Sequence, residues 1–249
     1  MLHLSQHLPP DALIGGENRA LTQALLRTGG ARFIARDTDV VRDGDRVTGW
    51  REAAGATIAV TTKPNVGYSR FAPGAPAAML CETGLNCGFM LPDFAPVVER
   101  FTAAVIYSSQ GDAKTLLSVS TGQSNNLIFL SETDGSLGAR DRQSGLGVTL
   151  GLPGDLARPR LAVFCFTGRA LVLRMGGRSA RAEGAVPSMA HPGDFFIGCR
   201  SNRTGLAKTL GSSRLHEVVF WPDRALLGSA DADDIAALAA LETYHRWTF

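Results

Sequence analysis

Glu132 and Asp134 stand two residues apart. On a strand that spacing turns both carboxylates to one face, where such a pair can act as nucleophile and general acid on a glycosidic bond. Gly135 follows at once, however, and Asp-Gly between extended runs is hairpin-turn chemistry, so the sequence predicts a turn here. The chain has no Gly-x-Ser-x-Gly elbow, no Gly-x-x-x-x-Gly-Lys-Ser/Thr phosphate loop and no Gly-x-Gly-x-x-Gly fingerprint after a strand. His3 and His7 could share a helix face as a two-histidine metal site, against the simpler alternative of solvated side chains. His216, inside an apolar run, reads as an exposed or satisfied side chain. Without Cys-x-x-Cys a structural zinc is disfavoured. A loop calcium needs only one or two carboxylates plus carbonyls, so it stays open, with Asp112 and Asp141 as the acids to inspect. The expectation is a protein that is not an enzyme and carries no cofactor.

Binding chemistry is better represented. Sugar sites pair an aromatic platform with planar hydrogen-bonding groups, and arginines add attraction for acidic sugars. Tyr107 ends a strand-like run beside Ser108, Ser109 and Gln110. Gln123-Ser124-Asn125-Asn126 forms one polar loop, and Arg200-Ser201-Asn202-Arg203-Thr204-Gly205 with Lys208 forms another, rich in amides and cations. Tyr107, Asn125, Asn126, Arg200, Asn202, Arg203 and Lys208 are therefore the candidate ligand residues; plain solvated loops are the alternative. Trp50 and Trp221 sit in core-like strands and read as structural.

These residues need a scaffold, and composition bounds it. The 249 residues carry 25 Lys+Arg against 23 Asp+Glu, a formal charge of +2, and the cations are dispersed, which speaks against a nucleic-acid arm. Apolar residues at 45% and charged residues at 19% are ordinary globular values. No apolar run approaches the roughly 18–20 residues of a membrane span, so no membrane insertion is expected. Residues 1–10 lack the basic start and apolar run of a signal peptide, so export by the ordinary secretory route is not expected. Cys165 and Cys199 lie in apolar runs as small hydrophobes; whether Cys81 and Cys87 pair is left open.

Residues 17–27 form a short helix with Ala20, Leu21, Ala24 and Leu25 on one face, ending at Gly29-Gly30. From about residue 31, some thirteen strand-like runs alternate with turn signals such as Asp43-Gly44, Asp134-Gly135 and Gly176-Gly177, which implies antiparallel hairpins in a sandwich or barrel. Acids in the first turn near residue 231, then Ile235, Leu238, Leu241 and Tyr244, predict a C-terminal helix. The chain divides into a helical attachment segment, 1–36, and a β domain, 37–249.

Four segments carry a resemblance: Val47-Thr48-Gly49-Trp50 with its polar turn; Phe101 to Tyr107 followed by Thr115 to Val119; Phe195-Phe196-Ile197-Gly198-Cys199 followed by Arg214 to Trp221; and Asp223-Arg224-Ala225-Leu226-Leu227 leading to Tyr244. Their order resembles the concanavalin A-like lectin/glucanase superfamily, and within it the laminin-G-like jelly-roll modules of bacterial and phage proteins. The resemblance implies an all-β, antiparallel jelly-roll β-sandwich with a short N-terminal and a C-terminal helix, and a ligand on its concave face or rim loops. The superfamily's glucanases use Glu-x-Asp-x-x-Glu on one strand, and the third acid is missing after Glu132 and Asp134. The resemblance further implies a carbohydrate-binding adhesion module, a fibre or head spike of a phage-like or gene transfer particle, gripping surface polysaccharide. Its N-terminal segment would join other particle subunits or trimerise it into a homo-oligomer through the Ala20, Leu21, Ala24, Leu25 stripe, unless that stripe packs on its own domain. Two alternatives stay open: a purely structural particle protein, and a glycan-processing enzyme whose acid pair is assembled from distant positions.

Overall fold

Alternating apolar residues in successive strands drive two sheets together in this computed structural model, which describes residues 16–55, 57–63, 69–83, 87–184, 189, 191–202 and 207–249. The first sheet runs in the order β15 (Arg178–Glu183), β14 (Ala170–Met175), β13 (Arg160–Phe166), β8 (Phe101–Ser109), β17 (Ser213–Trp221), β6 (Ala78–Cys81), β5 (Arg70–Ala72), and β1 (Ala31–Ile34) also pairs with β17. The second runs β12 (Gly147–Gly151), β11 (Ser136–Asp141), β10 (Leu127–Thr133), β9 (Lys114–Ser120), β16 (Gly193–Ile197), β7 (Phe89–Ala95), β4 (Ile58–Thr61), β3 (Arg46–Arg51), β2 (Val40–Asp43). All these pairings are antiparallel. The fold is the expected jelly-roll sandwich.

Between the sheets, Val105, Phe164 and Phe220 of the first meet Val119, Leu130 and Phe195 of the second. Phe195 and Phe220 stack with ring centroids 4.0 Å apart, which locks the sheets at their centre. The outer face of the first sheet is covered as well. Ile106, Val163, Val219 and Trp221 pack under α1 (Gly16–Thr28) and α2 (Ala232–Thr248), closing a second core with Leu21, Ala24, Leu25, Ala237, Leu241 and Tyr244. This explains why β8 and β13 are buried at every position instead of alternating. The start of α2 is capped by Asp231, whose side chain accepts from the amides of Asp233 and Asp234.

Residues within the expected attachment segment 1–36 contribute to both layers. Strand β1 pairs with β17 residue by residue, and its Arg32 reaches Glu217 of β17 at 2.9 Å while Tyr244 of α2 donates to the same carboxylate. Three members of the helix stripe, Leu21, Ala24 and Leu25, are buried against the chain's own sheet and α2; Ala20 is exposed. The stripe thus takes the alternative anticipated for it, packing on its own domain. Trp221 Nε1 donates to Thr28 Oγ1 at 2.8 Å, tying the end of α1 to the sheet.

Candidate functional site

Alternation in the second sheet turns Val119, Ile128 and Phe195 into the core, which leaves Ser120, Leu127, Asp194 and Phe196 on the opposite, outward face. Two loops rise beside that face. One, 121–126, joins β9 to β10; the other, between β16 and β17, is described over 198–202 and 207–212. Between them opens a cleft of about 600 Å³, lined among others by Asn125, Arg142, Asp194, Arg200, Asn202 and Lys208. Residues about eighty positions apart in sequence are thereby brought to one place.

Arg200 is the fixed element of the cleft. Its guanidinium lies over the Phe129 ring, 3.8 Å from the centroid, and its Nε donates to Thr115 Oγ1 at 2.9 Å. Burial, followed by repulsion from Arg142 and Arg140, pushes its pKa down to about 10, so it stays cationic at neutral pH. Asn125 occupies the left-handed region at φ +60°, a conformation asparagine tolerates, at the tip of its loop. Asn202 Oδ1 accepts from the Lys63 amide at 2.9 Å, which orients its amide group. Asp194 Oδ1 accepts from the Asp93 amide at 2.9 Å.

Four of the seven candidate residues, Asn125, Arg200, Asn202 and Lys208, line this cleft. Tyr107 does not, and its assignment as a platform is corrected: the ring is fully buried, its hydroxyl donates to Glu132 Oε2 at 2.8 Å, and Arg160 covers its face at 4.4 Å. Its position at the end of β8 faces the inter-sheet core, which the apparent strand end at Ser108 concealed. Asn126 is buried beneath the 121–126 loop, its carbonyl accepting from the Thr121 amide at 3.2 Å. Arg203, His3 and His7 lie outside the described residues. Arg142 and Asp194 were missed, although alternation through 137–142, with Leu137 and Ala139 inward, places Arg140 and Arg142 together on the outer face.

The carboxylates considered for other chemistry are engaged elsewhere. Asp134-Gly135 is the β10–β11 turn, with φ of +50° and +72°. Glu132 is wholly buried, paired with Arg160. Asp141 is buried and caps its turn, accepting from the Ser144 amide at 2.8 Å and from the Ser144 hydroxyl, while Asp112 lies 3.7 Å from Lys114 Nζ. Among the described residues no group of three or more His, Cys, Asp or Glu is placed to hold a metal ion. Cys81, Cys87, Cys165 and Cys199 are buried thiols, and none of the four is in a disulfide. His216 is buried and satisfied, with Nδ1 2.8 Å from the Ala77 carbonyl.

No protein-family model and no curated protein matches the sequence. Solved structures do match the fold. A mutant of Trypanosoma rangeli sialidase displaying trans-sialidase activity superposes at TM-score 0.59 with 13% identity, covering 94% of this chain and 39% of that one. The same sialidase in complex with sialic acid gives 0.59 and 14%, covering 94% and 39%. The binding domain of botulinum neurotoxin DC in complex with SialylT gives 0.52 and 6%, covering 80% and 51%. The chain therefore spans about two fifths of the sialidases it resembles. Mouse laminin alpha1 domains LG4-5 match more loosely, at 0.45 and 14% over 65% of this chain and 48% of that one.

At these identities the likenesses to the sialidases and to the toxin binding domain show the β-sandwich fold alone. They also correct the expectation that the chain is not an enzyme, because sialidases stand among its structural neighbours. That expectation came from a missing acid triplet on one strand, and such a triplet is one way among several to assemble glycosidase chemistry.

Proposed function

We propose that the cleft between the 121–126 loop and the 198–212 loop binds carbohydrate. One observation carries this reading: Asn125, Arg200, Asn202 and Lys208, from two loops remote in sequence, converge on a single cleft. The Asn125 amide offers a donor and an acceptor, the pairing that vicinal sugar hydroxyls require, and the Asn202 NH2 group, oriented by the Lys63 amide on Oδ1, adds donors together with Arg200 and Lys208. Phe196, the aromatic residue that lines the cleft, is buried, so hydrogen bonding dominates over ring stacking. Single-site affinity is accordingly modest, because protein contacts replace equally good water contacts. The sialidase complex with sialic acid and the toxin binding domain with SialylT support the reading by analogy of fold. A glycan array followed by calorimetry on the best binder tests it. Asn202→Ala and Lys208→Ala should weaken binding by about thirtyfold together, the order expected when two hydrogen bonds worth ~1 kcal/mol each are lost. Unchanged affinity in both variants overturns the assignment.

A second reading, glycan processing, is favoured by the sialidase likeness over more than nine tenths of the chain. Asp194 supplies a carboxylate to the cleft for such chemistry. Sugar release from a glycan panel that disappears in Asp194→Asn supports it, and release that survives this change removes Asp194 from the mechanism.

A further inference from the structure

We propose that the cleft is one end of a longer groove that binds an acidic polysaccharide chain, with anionic groups of successive sugars seated on Arg142, Arg200 and Arg140. This rests on the carbohydrate reading of the cleft. Next to it, over the outward face of β10, β11 and β12, lies a second depression of about 400 Å³. Arg142 and Arg200 line both. The floor of the second depression is kept low by small residues, Ser131, Ser136 and Gly138, with Thr149 beside them, so the groove continues across the sheet instead of ending at the arginines.

The charges in this groove are unbalanced. Arg140, Arg142, Arg200 and Lys208 face it, against Asp134 in the second depression and Asp194 in the first. Among the described residues none of the three arginines is ion-paired, and the paired arginines, such as Arg32, Arg160 and Arg174, lie outside the groove. Repulsion from Arg142 and Arg140 contributes to the lowered pKa of Arg200, so these cations sense one another. Holding like charges close costs the fold energy that an anionic ligand offsets. Guanidinium suits this task, because its planar fork meets a carboxylate or a sulfate through two parallel hydrogen bonds. Arg200 is already held by Phe129 and Thr115, so little freedom is lost when it meets a ligand.

Calorimetry in about 0.15 M salt, where interactions beyond a Debye length of ~8 Å are screened, provides the test. The probes are polygalacturonate for carboxylates, dextran sulfate for sulfates, and unmodified dextran as the neutral chain, each also as short oligomers. At least one acidic chain should bind about tenfold or more tighter than dextran, the order given by one charge-assisted pair of hydrogen bonds. Longer oligomers should bind tighter than dimers. Arg142→Gln and Arg140→Gln change exposed side chains, so the fold is retained, and each should reduce acidic-chain affinity several-fold. Arg246→Gln, in a separate depression beside α2, should leave it unchanged. The polygalacturonate and dextran sulfate arms tell which anion is preferred. Equal binding of dextran and the acidic chains overturns this proposal while leaving the carbohydrate reading intact, and no binding of any saccharide overturns both. A loss with Arg246→Gln as large as with Arg142→Gln means diffuse charge attraction and also overturns the groove.

Discussion

Inside the sandwich Arg160 Nη2 lies 2.5 Å from Glu132 Oε2, with the two side chains 8% and 0% exposed. The pair joins β13 of one sheet to β10 of the other, and Tyr107 and Ser109 of β8 both donate to the same carboxylate. Burial, reinforced by the Glu132 charge, raises the Tyr107 phenol well above its ordinary range, so it remains a hydrogen-bond donor at any physiological pH. Glu132→Gln removes the counter-charge and leaves a buried guanidinium uncompensated. A loss of about 3–5 kcal/mol in urea unfolding is expected. Tyr107→Phe removes one donor from a carboxylate that keeps others and should cost about 1–2 kcal/mol.

That cluster shows where the sequence stops being legible. The strands from 101 to 131 and from 160 to 175 are readable one by one as short apolar, β-branched and aromatic runs between turn signals, although β8 and β13 are buried on both faces and do not alternate. Strand β15, with the sequence RSARAE, is an edge strand carrying charges, and β1, β2 and β5 are three or four residues long, too short for a pattern to emerge. Glu132 beside Asp134 looks like a surface pair because its partner, Arg160, is 28 residues away and only the closing of the sheets brings them together. The two polar loops are visible as loops, since amides and glycines mark them. Their meeting over one cleft depends on β9 lying between β10 and β16, a non-local pairing order that no local spacing encodes.

Leu21 is fully buried beneath α1, while Leu26, on the same helix, is 75% exposed. Leu21→Ala should therefore destabilise the protein by about 2–5 kcal/mol, as expected of a core leucine. Leu26→Ala should stay within about 0.5 kcal/mol. Chemical denaturation of both variants checks this. Equal, small effects mean that α1 does not belong to the core.

Two histidines tie stability to pH. Burial lowers the pKa of His216, helped by Arg214, and burial lowers that of His245. In the unfolded chain both titrate near the ordinary histidine value of about 6.5. The folded state thus resists protonation where the unfolded chain accepts it, so stability is fully present above about pH 6.5 and declines as the pH falls toward the depressed folded-state values. Thermal unfolding at pH 7.5 and 5.5 should give a lower midpoint at 5.5. His216→Gln should narrow that gap, because it removes one of the two titrating groups. A gap unchanged by the substitution assigns the pH dependence elsewhere.

Gly211 governs the loop that frames the cleft. A Cβ built there would lie 1.9 Å from the Asp112 carbonyl oxygen and 2.7 Å from the Ala113 carbonyl carbon, both backbone atoms that cannot swing aside. The same Asp112 oxygen accepts from the Ser212 amide at 2.9 Å, and Leu210 bridges to Lys114, so the end of the loop is fastened to the start of β9 at this point. Leu210 also packs on Phe196 and Cys199 beneath the cleft. Gly211→Ala must push the loop away from β9, carrying Lys208 and Thr209 with it. Overpacking of this kind costs about 1–3 kcal/mol, or a fall of several degrees in Tm for a chain of this size. Because the same loop supplies Arg200, Asn202 and Lys208, saccharide affinity should fall too. Gly154→Ala, where a Cβ meets nothing within 4 Å, is the matched control and should change neither quantity by much. A Gly211→Ala protein that melts early yet binds the saccharide as tightly as the parent shows that the cleft does not depend on how the loop is anchored.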